Sequence, residues 1–397
     1  MKTSAVLVAA TMTVTLGLAP LSTSATTARA APSTTSCAHR SSATAAADWV
    51  AATYTTDRSA WNGGSLAQGI IALVGAGGHD KDVAELDTAM ATAYPTYAKG
   101  GPGSIAYVLV AVESQGQDPT SWHDHDLVAE LRSALAKSPD GGGFFGPGLS
   151  VIALSRAGAT VPGTVLDALL KTQGSNGAFG YYDFSDPTKF TADPDYTALA
   201  IAALDSLSSP SSAASAALDK AIAWAESSQT KDHYWANYSP VNSTGMMIPA
   251  LAQAGVDVSA SQAWLASELK RSGGKAFAAS PDSTEPNLMA TTQGLWGLTG
   301  FGLTNTTPAK VRAAASACSS SPTPSTSASP TTPSPTSSST QPSSTSPAAT
   351  LPGATSTSST RPVRLPSTGD DSSVAGLAGL AVLSWVPAIL VAARRRK

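Results

Sequence analysis

The stretch DPDYTALAIAALDSLS, residues 193–208, decides the fold of this chain. After the first two of its three aspartates, a helix running from Thr197 to Leu207 would carry small or apolar side chains on nearly every side. A helix without a polar face is stable in water only when other elements surround it. The stretch therefore predicts a buried helix, and the number of similar stretches predicts the architecture.

The end of this helix belongs to a pattern that occurs six times. A small residue and an apolar residue are followed, four places after the apolar one, by a glycine of the kind that ends helices. Five copies are Ala72-Leu73 with Gly77, Ala111-Val112 with Gly116, Ala153-Leu154 with Gly158, Ala250-Leu251 with Gly255, and Gly297-Leu298 with Gly302. In the remaining copy Ser208 follows Ala203-Leu204, and successive copies lie 39 to 50 residues apart.

Amphipathic helices are predicted between the apolar ones, at 43–54, 82–93, 127–137, 164–172, 213–228 and 260–271. Six pairs of an amphipathic and an apolar helix give an all-α domain over residues 31–318. The simplest packing is an α6/α6 toroid, in which the apolar helices form an inner ring and the amphipathic helices an outer ring. The alternative is an open helical solenoid.

The C-terminal segment has three parts. An apolar run at 374–393 and the basic residues 394–397 follow a motif that consists of Leu365, Pro366, Ser367, Thr368 and Gly369. This order resembles the LPXTG sorting signal of Gram-positive surface proteins. The resemblance implies that sortase cuts after Thr368 and joins its carboxyl group to peptidoglycan. The apolar run is long enough to span a bilayer, so the alternative is a plain membrane anchor.

The N-terminal segment is predicted to be a signal peptide, residues 1–30, because a short apolar stretch precedes the A-x-A sequence Ala28-Arg29-Ala30. Residues 319–364 consist almost entirely of Ser, Thr, Pro and Ala. Such a segment buries too little apolar surface to fold and forms a linker, which could reach on the order of 140 Å across the wall. We therefore expect a secreted protein that is covalently anchored to the cell wall.

The two cysteines of the chain, Cys37 and Cys318, lie at the two ends of the helical block. In an exported protein two cysteines usually pair, and a disulfide requires their Cα atoms to be within about 7 Å. A toroid brings its ends together, whereas an open solenoid holds them apart. The expected pair therefore favours the toroid.

Within the block, Gln173-Gly-Ser-Asn-Gly177-Ala-Phe179 is followed by DPDYTA at 193–198. The first of these sequences is similar to the signature Q-x-x-x-G-x-W, and with it the block resembles the prenyltransferase and squalene-oxidase repeat superfamily. That superfamily includes terpenoid cyclases, protein prenyltransferase β subunits and cobalamin carriers. Weaker copies occur at 229–235 and 270–277. The resemblance covers about 280 residues and implies the toroid fold.

The resemblance to class II terpenoid cyclases extends to their acid motif, D-x-D-D-T-A. Asp193, Asp195, Thr197 and Ala198 match it, but Tyr196 replaces the last aspartate. In those enzymes the middle aspartate donates a proton and needs a raised pKa. The alternative is that one of the two aspartates caps the following helix, which favours its ionised form. Because of the tyrosine, we expect Asp195 to be a cap without catalytic function.

No metal or cofactor is expected. Protein prenyltransferases hold zinc through Asp, Cys and His, but both cysteines here are expected to pair. The sequence Trp122-His-Asp-His-Asp126 could contribute to a metal site, although such a group is more often a solvated loop. Cobalamin carriers hold their ligand against a second domain, and we expect none here because the Ser, Thr and Pro-rich segment directly follows the block.

The loops that lead into the inner helices would lie together at one mouth of a toroid. They are rich in aromatic residues, which together with polar groups suit a ligand that is partly apolar. The candidate ligand contacts are Trp61, Tyr181, Tyr182, Trp235 and Tyr238. Alternatively, each aromatic ring plugs the space between neighbouring helices, and this alternative is favoured for Phe179 and Phe277.

These observations predict a wall-anchored surface protein whose toroid binds a small molecule, a glycan or a protein. An extracellular enzyme that uses Asp183, Asp193 or Asp195 is the alternative, and a close pair of carboxylates with one raised pKa would favour it. A passive structural protein with a filled interior is a third possibility. The net charge of −3 gives no indication of nucleic-acid binding.

Replacing Thr368 with Ala is expected to block covalent attachment to the wall, because the scissile bond follows this residue. The variant should then be extracted from cell walls by detergent or be found in the medium, as measured by fractionation and immunoblotting. A Thr368→Ala protein that still resists detergent extraction would contradict the sorting-signal interpretation.

Overall fold

The computed structural model describes residues 37–320 except 184 and 187, and this part of the chain is mostly helical. The all-α class is thus confirmed. Between residues 37 and 320 no helix is both long and apolar enough to cross a membrane.

Several predicted segments lie outside the described residues. They are the signal peptide at 1–30, the linker beyond Ser320, and the sorting signal at 365–397 with its apolar run at 374–393. All five residues of the sorting motif are among them, namely Leu365, Pro366, Ser367, Thr368 and Gly369. The assignment of these residues to sortase therefore stays a prediction from the sequence.

The described residues form thirteen α-helices and one hairpin. The helices are α1 (Arg40–Thr56), α2 (Gly63–Ala76), α3 (Asp80–Tyr97), α4 (Pro102–Ser114), α5 (Leu127–Lys137), α6 (Gly146–Arg156), α7 (Gly163–Leu170), α8 (Pro194–Asp205), α9 (Ser212–Ser228), α10 (Pro240–Gln253), α11 (Ser259–Arg271), α12 (Leu288–Thr299) and α13 (Pro308–Ser320). The strands β1 (Gly180–Tyr182) and β2 (Phe190–Ala192) pair antiparallel between α7 and α8.

The even-numbered helices from α2 to α12 are the predicted apolar helices, and they are buried on nearly every side. In α4 every residue except Glu113 is buried. Four of these helices have proline in their first turn, where its fixed φ suits the helix and its missing N–H is not needed. The other two, α2 and α12, are capped by Asn62 and Asn287.

The predicted helix-ending glycines are confirmed in four of five copies. Gly77, Gly116, Gly158 and Gly255 all have positive φ, a conformation in which a side chain would be strained. In the last copy the prediction of Gly302 is wrong. Helix α12 ends at Thr299, and the adjacent Gly300 has φ 71° and takes the left-handed conformation.

The odd-numbered helices from α1 to α11 are the predicted amphipathic helices, and each buries one face. In α5, for example, the buried stripe consists of Leu127, Leu131 and Leu135, which lie four residues apart on one side. Each odd-numbered helix packs against one or two of the apolar helices, and α1 contacts both α2 and α12. The amphipathic helices therefore cover the apolar ones from outside.

The apolar helices contact one another in sequence order. Helix α2 packs against α4, α4 against α6, α6 against α8, α8 against α10, and α10 against α12, while α12 packs against α2. The contact between the last and the first of these helices includes a hydrogen bond between side chains 224 positions apart, from Thr292 Oγ1 to Gln68 Oε1 at 3.1 Å.

Cys37 and Cys318 form a disulfide with their Cα atoms 5.5 Å apart. The bond joins the segment before α1 to α13, a helix with no fully buried residue. In the chain-entropy description, closing a loop of this length stabilises the folded state by up to ~5 kcal/mol. The disulfide thus holds both ends of the domain at one place.

Two elements were not predicted from the sequence. The hairpin of β1 and β2 projects Tyr181 and Tyr182 into solvent. Helix α13 continues to Ser320, two residues beyond the predicted end of the domain at 318. Neither element has the apolar periodicity that identified the other helices.

A small residue is required where α10 crosses α12. A Cβ atom on Gly245 would overlap the main-chain carbonyl oxygen of Gln293. Substituting Gly245 with Ala should therefore destabilise the protein by about 2 kcal/mol, although alanine favours a helix. Chemical denaturation measures the change.

Gly163 is a matched control, because a Cβ atom at this first position of α7 would have no neighbour within 4 Å. Gly163→Ala should leave stability unchanged or slightly raised. Equal effects of the two substitutions would show that α10 and α12 are not in close contact.

Candidate functional site

A cavity lies between the even-numbered helices, and we refer to it as the interhelical cavity. Its volume is about 690 Å³, including the space open to solvent. All six apolar helices contribute to its wall. The apolar part of the wall consists of Phe145, Leu149, Leu199, Met246, Met289, Trp296 and Leu303. The polar part consists of Gln68, Tyr107, Asp195 and Gln293.

The segment between α12 and α13 covers the end of this cavity at which the apolar helices terminate. Its Leu303 lines the cavity, and Arg156, the last residue of α6, donates hydrogen bonds to the carbonyl oxygens of Leu303 at 2.5 Å and Thr306 at 2.9 Å. Arg156 Nε also lies 3.2 Å from Glu113 Oε2, and the two side chains are only 9% and 8% exposed. Burial raises the pKa of Glu113 to about 8, against the opposing effect of Arg156.

Two aspartates stand at the start of α8, and they have different roles. Asp193 is the N-cap, and its carboxylate accepts a hydrogen bond from the backbone N–H of Tyr196 at 2.8 Å. Asp195 lines the cavity and accepts a hydrogen bond from the hydroxyl of Ser243 on α10. The prediction that Asp195 caps α8 is therefore wrong, because Asp193 occupies that position.

Burial and the neighbouring Asp193 raise the pKa of Asp195 to about 7, while hydrogen bonds from Ser243 and Asn237 oppose the change. Burial also raises the pKa of Asp193. Asp195 therefore exchanges a proton near neutral pH, unlike an ordinary aspartate. Interacting carboxylates of which one has a raised pKa are the feature that favours an enzyme.

Helix α12 presents two polar atoms without a hydrogen-bond partner among the described residues. They are Gln293 Oε1 and Trp296 Nε1, on side chains that are 8% and 2% exposed and that both line the cavity. Leaving a buried donor or acceptor unpaired costs about 1–3 kcal/mol. Both residues line the cavity, whereas the two unpaired atoms themselves are buried.

Gln68 and Tyr107 complete the polar part of the wall. Gln68 accepts the hydrogen bond from Thr292 and also bonds to the Tyr107 hydroxyl. Burial raises the pKa of Tyr107 well above 10, so the phenol is neutral at physiological pH. Asp195 is consequently the only one of the described wall residues that carries a charge.

The structure places two of the predicted ligand contacts in the core. Trp235 is buried, its indole N–H donates to the Ala225 carbonyl oxygen at 2.7 Å, and its backbone N–H donates to Thr244 Oγ1 at 3.2 Å. Trp61 is buried against Gly69 and lies edge-on to Tyr54. Both rings fill space between helices, so neither is retained as a ligand contact.

The expectation that Phe179 and Phe277 plug the spaces between helices is confirmed, because both are fully buried. Their backbone N–H groups donate to Thr197 Oγ1 and Thr291 Oγ1, each at 3.0 Å. Trp235 makes the corresponding bond to Thr244. Three loops of the repeat are thus fixed by the same contact between an aromatic residue and a threonine in the first turns of the next apolar helix.

The other three predicted contacts are exposed. Tyr181 and Tyr182 are 46% and 44% exposed, and Tyr238 is 87% exposed. Tyr181 lies 5.4 Å from Phe144, measured between ring centroids, and Phe144 lies 5.0 Å from Phe145, which lines the cavity. Aromatic contacts therefore connect the exposed hairpin with the cavity wall.

Asp183 does not have the environment of an acid catalyst. Its carboxylate accepts hydrogen bonds from the hydroxyl and the backbone N–H of Ser185 at 2.6 and 2.7 Å. These bonds lower the pKa of Asp183. Asp183 is thus a turn-forming carboxylate of the hairpin that stays ionised near neutral pH.

The histidines of the 122–126 segment pair with separate carboxylates. His123 Nε2 lies 2.8 Å from Asp87 Oδ2, and His125 Nδ1 lies 2.8 Å from Glu130 Oε1. Asp87 also accepts the indole N–H of Trp122 at 3.0 Å. Within residues 37–320 no group of three His, Cys, Asp or Glu side chains lies close enough to hold a metal ion.

The sequence analysis missed Gln68, Gln293, Trp296 and Met246 as cavity residues. A signal was present for the two glutamines, because each is a polar residue inside an otherwise buried apolar helix. The tryptophan and the methionine carry no such signal, since apolar residues occur on every side of these helices.

No protein-family profile matches this chain, and no curated protein has significant sequence similarity to it.

Substituting Asp195 with Asn should stabilise the protein increasingly as the pH rises from 4 to 8. The pKa of Asp195 is raised in the folded state, so the protonated side chain stabilises the folded protein at low pH. This stabilisation is lost as the pH rises through about 7. The difference in the free energy of unfolding between the variant and the native protein approaches ~4 kcal/mol if the whole pKa change acts on stability. Melting temperatures measured across this range report it.

Asp183→Asn is the control, because the pKa of Asp183 is changed in the opposite direction. Its lowered pKa means that the ionised side chain stabilises the folded protein, and this stabilisation is lost only at low pH. A melting-temperature difference for Asp195→Asn that stays constant between pH 4 and 8 would mean that Asp195 does not have a raised pKa.

Proposed function

We propose that residues 31–318 form an α/α toroid that binds a small organic molecule in its central cavity and is displayed on the outside of a Gram-positive cell. The toroid is supported by the contacts between successive apolar helices and by the contact of α12 with α2. The disulfide between the ends supports it as well. The resemblance to prenyltransferase and squalene-oxidase repeats agrees with the same arrangement.

The observation that carries the binding function is the unpartnered pair on α12, Gln293 Oε1 and Trp296 Nε1, which are buried atoms of two side chains that line the interhelical cavity. A rotation of the two side chains would bring these atoms to a ligand. A passive structural domain would be more stable with apolar side chains at both positions, since each unpaired polar atom costs free energy. A ligand that bonds to both atoms would recover that free energy. The cavity is open to solvent and is lined by residues of all six apolar helices, so a small molecule could enter it.

The aromatic residues at the mouth belong to the same proposed site. Tyr181, Tyr182 and Tyr238 are exposed, and ring contacts lead from Tyr181 to Phe145 at the cavity wall. These rings would bind the part of the ligand that protrudes from the cavity. A glycan or a protein segment would suit this outer part as well.

The proposed location depends on the two ends of the chain. The sequence at 365–397 would make the chain a sortase substrate, and Thr368 would carry the covalent bond to peptidoglycan. The Ser, Thr and Pro-rich segment would hold the domain away from the membrane. A ligand that reaches the domain would therefore come from outside the cell.

An enzymatic function is the second candidate, and the raised pKa of Asp195 favours it. A carboxyl group that is partly protonated near pH 7 could donate a proton to a substrate in the cavity. Asp193 raises this pKa through its charge and fixes the start of α8 as its cap. Turnover of a glycan or terpenoid that disappears in Asp195→Asn would establish this alternative.

Substituting Gln293 with Leu tests the binding function by two effects of opposite sign. The free protein should become more stable by about 1–2 kcal/mol, because a buried unpaired carbonyl is removed. Binding of a ligand found by thermal-shift screening of small organic molecules should become weaker, because its hydrogen bond to Gln293 is lost. Melting temperatures with and without the ligand measure both effects.

Gln262→Leu is the matched control, because this buried glutamine already donates a hydrogen bond to the Gly297 carbonyl oxygen at 3.1 Å. It should destabilise the protein. A Gln293→Leu protein that is less stable than the native protein, or a screen without a ligand, would contradict the proposed function.

A further inference from the structure

We infer that the ligand of the interhelical cavity is an organic ammonium compound with an apolar body and one oxygen acceptor, whose charge lies against Asp195. This inference rests on the proposed binding function and specifies its ligand class. It follows from the charge of the cavity wall, from the aromatic rings in that wall and from the unpaired atoms on α12.

The charge of the wall excludes anionic ligands. Among the described residues that line the cavity there is no Lys, Arg or His side chain, and Asp195 is the only charged one. Asp193, at the start of the same helix, adds to the negative potential at Asp195. A carboxylate or phosphate in the cavity would lose its hydration without a compensating cation and would be repelled by Asp195. A cation would be attracted to Asp195.

The rings in the wall favour a cation over a neutral group. Tyr107 on α4, Phe145 just before α6 and Trp296 on α12 line the cavity. Aromatic faces attract ammonium groups, most strongly where water is excluded. Met246 and Met289 also line the wall and supply polarisable surface for an apolar body.

The two unpaired atoms specify the polar groups of the ligand. Both atoms are buried, so each side chain would have to rotate to meet the ligand. Gln293 Oε1 could then accept a hydrogen bond from an ammonium N–H, whereas Trp296 Nε1 needs an acceptor. Residues three apart on a helix lie on the same face, about 5–6 Å from each other. An amine with an ether or hydroxyl oxygen a few bonds away would bond to both atoms at once.

The raised pKa of Asp195 supports this assignment. A bound cation favours the ionised carboxylate, so binding would release a proton when the pH is below about 7. The other titratable groups near Asp195 are Asp193 on the same helix and Tyr107 on α4, and the groups contributed by α10 and the loop before it are the uncharged Ser243 and Asn237. The pH dependence of binding should consequently follow Asp195.

Three probes of nearly equal size distinguish the ligand classes. 2-Phenoxyethylamine, 2-phenoxyethanol and phenoxyacetate share a phenyl ether and carry a head group of charge +1, 0 and −1. Isothermal titration calorimetry with the full chain at pH 8 should give the amine an affinity on the order of tenfold higher than that of the alcohol. Phenoxyacetate should bind more weakly than the alcohol.

The contribution of Asp195 is measured with Asp195→Asn, which keeps the size of the side chain and removes its charge. The variant should lower the affinity for the amine to that for the alcohol and leave the alcohol unchanged. Asp183→Asn removes a charge of the same sign from the exposed hairpin and should leave all three affinities unchanged. In the native protein the affinity for the amine should rise between pH 5.5 and 8.

Two results overturn the inference. In the first, the alcohol or phenoxyacetate binds as tightly as the amine, and Asp195→Asn leaves the affinities of the probes unchanged. The ligand is then not a cation, although the proposed binding function stands. If none of the probes binds, the inference fails. The proposed function fails with it only when the broader thermal-shift screen also finds no ligand.

Discussion

Six helices of this domain are apolar on nearly every side, and each must therefore be covered on every side by other helices. The amphipathic helices provide the outer cover, and the neighbouring apolar helices provide the rest. This requirement is met for α2 and α12 only because they pack against each other and share α1 as a neighbour. The proposed toroid is the arrangement in which no apolar helix is left at an edge.

Close packing of this kind leaves little room for polar groups. The polar side chains that lie between the apolar helices therefore point to structural or functional roles. Arg156 and Glu113 form an ion pair, and Arg156 also fixes the segment that carries Leu303 to the cavity. Asp195, Gln293 and Trp296 differ, because their polar side chains border a cavity instead of a neighbouring helix alone. The burial that stabilises the fold is also what raises the pKa of Asp195.

Most of the helical part of the fold was predictable from the sequence, whereas the site was predictable only in part. Repeated apolar stretches and helix-ending glycines located the helices, because the formation and the end of a helix depend on residues only a few positions apart. The aromatic residues of the mouth could not be sorted in the same way. Trp235 and Tyr238 are three positions apart, yet one is buried beneath a loop and the other is almost fully exposed. The neighbours that decide this difference come from other helices.

The sequence by itself determined the all-α class, the alternation of apolar and amphipathic helices and the candidate pair of cysteines. It also supplied the signals at both ends on which the proposed location depends. Only the tertiary structure decided that Asp193 caps α8 while Asp195 faces the cavity, and that Gln293 and Trp296 lie beside it unpaired. The physical reason is that helix formation depends on residues a few positions apart. Burial, pKa and hydrogen-bond partners depend on side chains brought together from distant parts of the chain.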